Sequence, residues 1–573
     1  MPNATYPMRT PAEKRDAYLA RLTRLKADRS SWITHWSDLN RHILPRSARF
    51  FSSDRNLGGK ERYNSIYDNS ATLALRTFVS GLMTNLTSQA RQWFLLTTKD
   101  PNLRNSHNVQ LWLDEVVERM NAVFSKSNFY RALANAYAEL GVFGTHAVLI
   151  LGDFQTLIHC YPLTVGEYCL EQDFQGRIVT CYREFERTVG EVVKEFGYER
   201  CSKWVQQAFD ARNHEAPVKL LHVVEPRADQ ERRPNSPLAI DMPWKSCYLE
   251  IGGEGDQLLR ESGFKRMRVL APRWQVQGGD VYGISPAMDA LGDIRQLQQM
   301  QLRMSQAIDY KTRPPLQVPH DAMQRDSDIL PGGIRYYDPG TTIPYNQSTP
   351  HGGVRSAFEV NLDLSHLEKL EDKTKFRIQR ALYEDMFLLL ANDPTGDKTA
   401  FEVASLKEEK FQIIGPAIER TQNELLEPAI DIAFEEMFAV GALPPPPPEL
   451  VGAQLDVEFV GVLAQAQRAA GIHGVQQWTN DHLVVAQARP DVLDNVNFDE
   501  WSRATGHMRG VPTDFMVDAQ SVQRLREARA EAEAAREQAE MMMATAKTTK
   551  DLATAPVGQD SALDEILRQA GAA

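Results

Sequence analysis

Cysteine is scarce in this sequence: only five occur among 573 residues, and none forms a Cys-x-x-Cys pair. An odd number of widely spaced cysteines argues against a disulfide framework and against a zinc site built from cysteine. The pattern therefore predicts reduced thiols and a protein made in a reducing compartment. The positions are Cys160, Cys169, Cys181, Cys201 and Cys247.

Long apolar runs are also missing. The longest, Ala147–Leu151 and Met386–Ala391, are far shorter than the roughly 18–20 residues that a membrane-spanning helix needs. The first residues, Met1–Arg15, are polar and lack the apolar core of a signal peptide. We therefore expect a soluble protein that is made inside the cell and has no membrane partner.

Common signatures of catalytic and nucleotide-binding sites are absent. Gly-x-Gly-x-x-Gly, His-Glu-x-x-His and Gly-x-Ser-x-Gly do not occur, and Gly396–Thr399 matches only the end of a phosphate-binding loop. Because Ala391 stands where that loop requires its first glycine, a turn followed by a helix cap is the better interpretation. These absences predict a protein that is not an enzyme and has no cofactor.

Metal-ligand patterns are equally weak. His35 and His42 share one face of a predicted helix, but a pair of this kind is more typical of a helix surface than of a metal site. Asp326 and Asp328 have no His or Glu nearby in the sequence and are interpreted as solvated loop carboxylates. We expect no metal centre.

The charge balance limits the choice of partners. Lys and Arg total 64 and Asp and Glu total 76, giving a net charge of −12, with 42% hydrophobic residues. This composition is typical of a globular protein, and the length predicts about three or four domains. An acidic chain is unsuited to gripping nucleic acid over its whole surface, because such binding depends on Lys and Arg at phosphates. DNA that passes by without being gripped remains compatible with it.

Hydrophobic periodicity predicts a mixed α+β fold. Apolar residues recur at helical spacing in four N-terminal segments, at 12–44, 64–90, 108–124 and 129–143. From 147 to about 270, short apolar runs punctuated by Gly, Pro and Asp predict antiparallel strands with one helix inserted at 188–209.

Two long helices are predicted in the middle of the chain. Ser285 is a suitable N-cap and Pro286 a suitable first residue for a helix over 286–312, which Pro314 and Pro315 must end. A second helix of similar length is predicted at 365–391. The intervening stretch is rich in Pro and Gly and predicts a small β-containing excursion at the ends of the two helices.

The remaining chain is predicted to be mostly helical. Thr399 and Glu402 have the spacing of a capping box, and Pro428 is expected to kink the helix that contains it. A proline run at 444–448 predicts a rigid spacer before a strand at 454–460. Further helices are predicted at 462–470, 474–488, 498–507 and 513–547, followed by a mobile tail.

Aromatic and basic residues leave two questions open. An aromatic group could be a platform for stacking nucleic-acid bases, but its helix and strand spacing favours core packing. It comprises Trp32, Trp36, Phe50, Phe51, Trp93 and Phe94. Basic residues concentrate in the predicted helix pair and its end loops, and they are either ordinary surface charge or a set with a shared function. They are Lys311, Arg313, Arg325, Arg335, Arg377, Arg380 and Lys398.

Four sequence stretches resemble signatures of the head-to-tail connecting (portal) proteins of short-tailed bacteriophages. They are Tyr67–Ala71 (Tyr-Asp-Asn-Ser-Ala), Ser80–Phe94, Tyr282–Ile294 and Thr399–Val403, the last with Phe401 at a variable position. The stretches occur in the family's order over most of the chain, and the resemblance fades after about residue 500.

The resemblance implies a ring of twelve subunits at one vertex of the capsid, with a portal fold. It implies an α/β wing, a two-helix stem, a small β-containing clip and a helical crown and barrel. The implied division is wing 1–284, first stem helix 285–313, clip 314–362, second stem helix 363–391, tunnel loop 392–398, connecting helices 399–443, crown 444–512, barrel helix 513–547 and flexible tail 548–573.

The resemblance also implies candidate functional positions. The tunnel loop supplies Asn392, Asp393, Thr395, Gly396 and Lys398. The candidates that line the channel are Lys311, Arg313, Arg377 and Arg380, and those for docking at the clip are Arg325, Arg335, Tyr336 and Tyr337.

Finally, the resemblance implies a set of partners. These are other copies of the chain, double-stranded DNA contacted without sequence specificity, a terminase packaging motor, tail adaptor or nozzle proteins, major capsid and scaffolding proteins, and internal core proteins. The implied location is the portal vertex of the virion, and the implied place of synthesis is the host cytoplasm. The alternative is a non-portal scaffolding or helical interaction protein, which would suit 513–547 but not the β-rich 147–270.

Overall fold

The computed structural model shows a chain that combines helices with β-sheets, so the predicted α+β class is confirmed. The structure describes residues 10–45, 47, 66–104, 106–228, 231–232, 236, 238–252, 258–319, 333–337, 355–356, 364–391, 413–450, 452, 455–460, 476–486, 489–508, 516–517 and 519–553. The chain forms two compact units, one from Met1–Lys99, Glu115–Pro446 and Gln454–Gln467 and the other from Asp100–Asp114, Pro447–Ala453 and Arg468–Ala573.

The principal helices follow the predicted order. They are α1 Pro11–His42, α2 Ser70–Asn85, α3 His107–Lys126, α4 Phe129–Phe143, α5 Val189–Phe196, α6 Lys203–Asp210, α7 Pro286–Thr312, α8 Leu364–Ala381, α9 Glu384–Ala391, α10 Glu427–Val440, α11 Phe498–Met508 and α12 Ala519–Ala553. Shorter helical segments lie at Pro101–Arg104, 413–421 and 476–486.

Local capping explains where the first helix begins. Thr10 Oγ1 accepts a hydrogen bond from Glu13 N, and the Glu13 carboxylate accepts one from Thr10 N, which completes a capping box. The second helix begins at Ser70 and ends at Asn85, so the predicted range 64–90 was too long at both ends. Residues 66–69 are not helical because backbone groups of Tyr67 and Asp68 bond to a side chain elsewhere in the chain.

The strands form four sheets. They are β1 Phe94–Thr98, β2 Ala147–Asp153, β3 Leu157–Leu163, β4 Tyr168–Gln172, β5 Ile178–Thr188, β6 Pro217–Pro226, β7 Trp244–Glu250, β8 Arg260–Phe264, β9 Val269–Leu270, β10 Leu316–Pro319, β11 Ile334–Tyr337, β12 Arg355–Ser356 and β13 Leu455–Phe459. The strand orders are β4-β5-β6-β7-β8, β3-β2-β9, β11-β10-β12 and β1-β13. All described pairs are antiparallel except β10 with β11, which confirms the antiparallel β region predicted for 147–270.

The five-stranded sheet separates two apolar cores. Along β6, Leu221 and Val223 pack with Leu22 of α1, whereas the alternate residue Leu220 packs with helices α5 and α6 through Val192 and Val205. This alternation follows from the two-residue repeat of a strand, which sends successive side chains to opposite faces. The single helix predicted at 188–209 was wrong, because Gly197 ends α5 and α6 begins separately at Lys203.

All five cysteines are buried and none is in a disulfide, as their sequence pattern predicted. Burial raises the pKa of the Cys160 and Cys181 thiols to about 12, so both stay protonated at neutral pH. They act as small apolar residues of the core.

The helix pair departs from its prediction in one respect. Helix α7 has the predicted bounds and 27 residues, but the predicted partner at 365–391 is divided into α8 and α9. Tyr383, which lies between them, has a φ of 56° in the left-handed region. The break redirects the chain so that Met386 and Phe387 of α9 become buried. The second helix is therefore shorter than the first.

A second interruption precedes α10. Residues Gln422–Leu426 form a π-helical turn just before Pro428, where a kink was predicted. The carboxylate of Glu424, within this turn, receives hydrogen bonds from the backbone N, Nε and Nη2 of Arg273. Arg273 is only 2% exposed, so its buried charge is balanced directly.

The C-terminal predictions were partly right. The strand predicted at 454–460 is β13, and the helix predicted at 498–507 is α11. Helix α12 continues to Ala553, so the expected mobile tail from 548 begins with a helical segment. The predicted helix 462–470 and the capping box at Thr399 and Glu402 lie outside the described residues.

No helix in the described part of the chain is both long and apolar enough to span a membrane. The described residues likewise bring together no group of three or more His, Cys, Asp or Glu side chains that could hold a metal ion. His35 and His42 lie on α1; Asp326 and Asp328 fall outside the described ranges.

Buried His222 makes the large sheet sensitive to acid. Burial, with Arg183 and Arg260 nearby, holds its pKa well below the usual value, and its ring stacks on Tyr248 at 4.0 Å. The unfolded chain takes up this proton near pH 6.5, whereas the folded chain does not. The contribution of His222 to the free energy of unfolding is therefore fully present above about pH 6.5 and falls by up to about 1.4 kcal/mol per pH unit below it.

We predict that His222→Gln flattens the loss of stability between pH 6.5 and 5, as measured by urea unfolding. The exposed His214→Gln is the matched control and should keep the wild-type slope. An unchanged slope in His222→Gln would contradict the assignment of the acid sensitivity to this histidine.

Candidate functional site

The site of greatest interest is the point where the long helix pair joins the α/β part of the chain. Ser285 caps α7: its Oγ accepts a hydrogen bond from Met288 N at 3.1 Å. The same hydroxyl donates to the carbonyl oxygen of Val142 at 2.7 Å, near the end of α4. One side chain therefore starts α7 and attaches it to α4, which explains why a serine followed by proline is required here.

Two glycines make the closest approach in this junction. Gly144 ends α4 with a φ of +71°, and a Cβ on it would lie within 3.0 Å of the carbonyl oxygen of Gly283. A Cβ on Gly283 would lie equally close to the carbonyl oxygen of Gly144. Only glycine permits this backbone contact at both positions.

Hydrogen bonds donated by backbone amides complete the junction. Gly283 N donates to Thr145 Oγ1 at 2.7 Å, and Ile284 N donates to the carbonyl oxygen of Gln275 at 2.7 Å. Trp274 N donates to the carbonyl oxygen of Gly144 at 2.9 Å. The start of α7 is therefore bonded to both segments that flank it, which fixes the direction in which the helix leaves.

Tyr282 extends the junction into the aromatic core. Its ring lies 5.1 Å from the ring of Trp36 and 5.8 Å from that of Trp32, and its hydroxyl accepts a hydrogen bond from Leu170 N. Trp36, Trp93 and Phe94 are fully buried, so core packing is confirmed for them and a base-stacking role is excluded. Phe50 and Phe51 lie outside the described residues.

Asp68, in the first of the resembling stretches, connects to both long helices. Gln298 of α7 accepts hydrogen bonds from Tyr67 N and Asp68 N and donates to the Asp68 carbonyl oxygen. Lys375 of α8 lies 3.2 Å from the Asp68 carboxylate and 2.5 Å from Glu371. The paired carboxylates raise the pKa of Lys375, so the ammonium stays charged.

Gly81, in the resembling stretch Ser80–Phe94, leaves the space that a side chain of α9 occupies. A Cβ on Gly81 would lie within 3.0 Å of the ring atoms of Phe387. The Phe387 ring also packs edge-on against Phe78 of α2, with 6.0 Å between centroids. The short helix after the break at Tyr383 therefore packs on α2 through an aromatic side chain that needs a glycine opposite it, and Thr77 of α2 also donates a hydrogen bond to Glu384 of α9.

An ion pair fixes the register of the two long helices. Arg377 of α8 lies 2.8 Å from Asp293 of α7, and both side chains are partly exposed. At 1.5 Å per residue, Arg377 and Arg380 lie near the junction, whereas Lys311 and Arg313 lie about 27 Å farther along α7. The four candidate channel residues therefore form two separate groups.

The other candidate positions are only partly described. Lys311, Arg313 and Arg380 are exposed, and Arg335, Tyr336 and Tyr337 lie on β11. The tunnel-loop candidates Asn392, Asp393, Thr395, Gly396 and Lys398, like Arg325, lie outside the described residues. Their assigned roles stay predictions.

Sequence reasoning missed the buried polar pairs. Arg273 and Glu424 are 151 residues apart, so no local pattern could have linked them. His146 Nδ1 lies 2.9 Å from the Glu139 carboxylate in the interior, and Ser47 Oγ donates to the same carboxylate at 2.7 Å. One member of each pair, Arg273 or His146, lies next to a junction segment in the sequence, so each pair supports a segment that meets there.

The family model and the similar proteins point to the same family. The family model for the bacteriophage head to tail connecting protein matches residues 15–517. A protein described as a probable portal protein, from Bordetella phage BPP-1, is 44% identical over 97% of this chain and 98% of its own length. The portal protein of Salmonella phage epsilon15 is 36% identical over 98% of this chain and 99% of its own length.

Solved structures give weaker matches. A chain from the virion of a native gene transfer agent particle covers 78% of this chain and 94% of its own, at 8% identity and a TM-score of 0.30. A chain from the neck of an empty particle of the same kind covers 75% and 93%, at 9% identity and a TM-score of 0.30. These scores are too low to support an argument about the fold.

We predict that Gly144→Ala lowers the free energy of unfolding by about 3 kcal/mol or more, because a strained φ and an overlap with Gly283 act together. Gly176→Ala is the matched control, with a φ of +79° and nothing within 4 Å of the added Cβ. It should cost only about 1 kcal/mol. Equal losses in the two variants, measured by chemical unfolding, would contradict the close backbone contact.

Proposed function

The chain belongs to the family of bacteriophage head to tail connecting proteins, and we propose that it forms a ring of twelve copies at one vertex of the capsid. In this role the ring is the conduit for double-stranded DNA during packaging and ejection. The observation that carries the proposal is the near-complete alignment with two relatives described as portal proteins. The proposed role is structural rather than catalytic.

The helix pair supports assembly into a ring. Helices α7 and α8 are buried on one side, but they keep apolar side chains at the surface, among them Ile308, Leu370 and Phe376. Identical copies related by rotation can cover such residues through a heterologous interface that closes on itself. A single subunit leaves them in water, at a cost of about 25 cal/mol for each Å² of apolar surface.

The charge distribution suits a conduit through which DNA slides. Each phosphate neutralised by Lys or Arg tightens binding, and that contact must be released when the DNA moves. A net charge of −12, with exposed Lys311 and Arg313 toward one end of α7, provides weak contacts rather than a grip. At physiological salt such contacts are screened beyond about 8 Å.

The small sheet β10–β12 is proposed as the clip. Strand β10 begins four residues after α7 ends, so the sheet is carried at the tip of a long helix. Surface segments positioned by rigid elements are common docking sites. We assign docking of the packaging motor and the tail adaptor to this region, with Arg325, Arg335, Tyr336 and Tyr337 as candidates.

The tunnel loop is proposed for Asn392–Lys398, which directly follows α9. The packing of Phe387 against Gly81, which holds α9 on α2, favours a rigid support for this segment. Twelve copies of Lys398 would provide one weak contact per subunit with passing DNA. Capsid, scaffolding and internal core proteins complete the proposed partners, and the virion is the proposed location.

The experiment is particle averaging of the purified chain by negative-stain electron microscopy. The proposal predicts rings with an axial hole and a mass near twelve subunits in light scattering. Monomers or rods across a range of concentrations and salt would contradict it and would favour a scaffolding role.

We predict that Lys311→Glu combined with Arg313→Glu leaves ring formation intact but lowers the DNA content of virions, because carboxylates would repel phosphates along the conduit. DNA per particle is measured by buoyant density and by quantitative amplification. Lys194→Glu with Arg200→Glu, two exposed basic residues of the α5 region, is the control. Normal DNA content in the first pair, or an equal loss in both, would contradict the placement of Lys311 and Arg313.

A further inference from the structure

Two hairpin turns of the chain carry the same tripeptide, Asp-Phe-Gln. One is Asp153–Gln155, between β2 and β3, and the other is Asp173–Gln175, between β4 and β5. Their aromatic residues, Phe154 and Phe174, are exposed to 110% and 95% of their reference areas, whereas no other large apolar side chain in the described part of the chain exceeds 74%. The same short sequence therefore carries the two most exposed apolar rings.

The two turns are also built alike. Each has a loop of three residues, because Asp153 pairs with Leu157 across the first hairpin and Asp173 N donates to the carbonyl oxygen of Arg177 in the second. The aspartate carboxylate closes each loop, accepting a hydrogen bond from Thr156 N at 2.8 Å in the first and from Arg177 N at 2.9 Å in the second. The phenylalanine is the first loop residue in both turns.

Turn chemistry explains the aspartates but not the phenylalanines. Short hairpin loops favour Gly, Asn and Asp, which tolerate the backbone angles of the turn or bond to its amides. A fully exposed aromatic ring leaves its apolar surface in water and stabilises nothing in its own subunit. One such residue is ordinary on a protein surface, but the same ring at the same loop position in two different sheets indicates contacts with a partner.

One helical segment supports both turns. Arg273 donates to the carbonyl oxygen of Gly176 in the second turn at 2.6 Å and is paired with Glu424. Glu436 lies against the first turn, where a Cβ on Gly152 would be 2.5 Å from its carboxylate. The two glutamates are 12 residues apart on a continuous helical segment, so the supports are about 18 Å apart. Turns held in this way lose little conformational freedom when their rings are bound.

We propose that Phe154 and Phe174 are twin anchors that insert into equivalent apolar pockets on two copies of the capsid shell protein. The proposal rests on the proposed ring at a capsid vertex and names the side chains that hold it there. Two anchors with the same sequence and the same loop select the same pocket twice, and a shell built from many copies of one subunit presents such pockets at fixed spacing. Gln155 and Gln175, exposed beside the rings, provide the same amide hydrogen bonds at each pocket.

Retention in assembled shells tests the anchors. The full-length chain is expressed with the capsid and scaffolding proteins of its phage, and its copies per purified shell are counted by quantitative mass spectrometry. Phe154→Ser and Phe174→Ser should each lower that number about tenfold or more, because each removes a buried ring. The two losses should agree within about threefold, since the pockets are equivalent. Leu238→Ser, at an apolar residue that is 60% exposed, is the matched control and should be retained like the wild type.

Negative staining and urea unfolding of the same variants separate the anchors from the ring. Variants that form rings, unfold at the wild-type midpoint and are lost from shells would support the proposal. Normal retention of both variants, or loss of only one, would overturn the twin anchors and leave the ring untouched. Variants that form no rings would show that the rings contact another copy of this chain, which also overturns the proposal. Wild-type protein that forms no rings would overturn the proposed function itself.

Photo-cross-linking tests whether the two pockets are the same. Benzoylphenylalanine, which resembles phenylalanine in shape, is introduced in place of Phe154 or of Phe174, and the co-assembled particles are irradiated. Both positions should cross-link to the same peptide of the capsid protein, whereas benzoylphenylalanine in place of Leu238 should not. Cross-links to two different capsid peptides, to the scaffolding protein or to another copy of this chain would overturn the proposal.

Discussion

The backbone contact between Gly144 and Gly283 is the constraint on which the remaining architecture depends. It brings the end of α4 and the start of α7 closer than any side chain would allow. Because Ser285 and Thr145 add hydrogen bonds at the same place, the long helix leaves the α/β part of the chain in one fixed direction. The position of α8 follows from that of α7, through Asp293 and the shared contacts of Asp68.

The stretches that resemble family signatures have a physical explanation in this chain. Tyr67–Ala71 bonds to both long helices, Gly81 accommodates Phe387, and Tyr282–Pro286 forms the junction itself. Their common effect is to hold the helix pair rigidly, which a family of connecting proteins requires if many copies are to match one another around an axis.

Local signals were readable from the sequence where a single residue determines the local structure. The start of α7 was predictable because serine and proline have fixed preferences at a helix N-terminus, and its end because two prolines forbid continuation. The break at Tyr383 was not predictable, since the left-handed φ of this residue accompanies the packing of Phe387 against Gly81, which lies 306 residues earlier in the sequence. Gly197, which ends α5, could have been read from the sequence as a break between two helices. The apolar residues on both sides of it suggested one continuous helix instead.

The residues of the candidate site also fall into those that the sequence predicts and those that only the structure reveals. Arg377 and Arg380 were selected by charge, but only the structure shows that Arg377 is paired within its own subunit. Buried Arg273 and Glu424 were not anticipated, because a contact across 151 residues leaves no local pattern. The composition gave the acidic balance that suits a conduit, whereas the positions of exposed cations depend on which helix faces are buried.

Hydrogen exchange at the junction, in the full-length chain, tests the central claim most directly. The amides of Gly283, Ile284 and Trp274 donate to Thr145, Gln275 and Gly144 across the contact. They should exchange as slowly as amides in the centre of β6, because opening the junction requires α7 to separate from α4. Exchange of these three amides within seconds, at the rate of exposed turns, would contradict a rigid attachment of the helix pair.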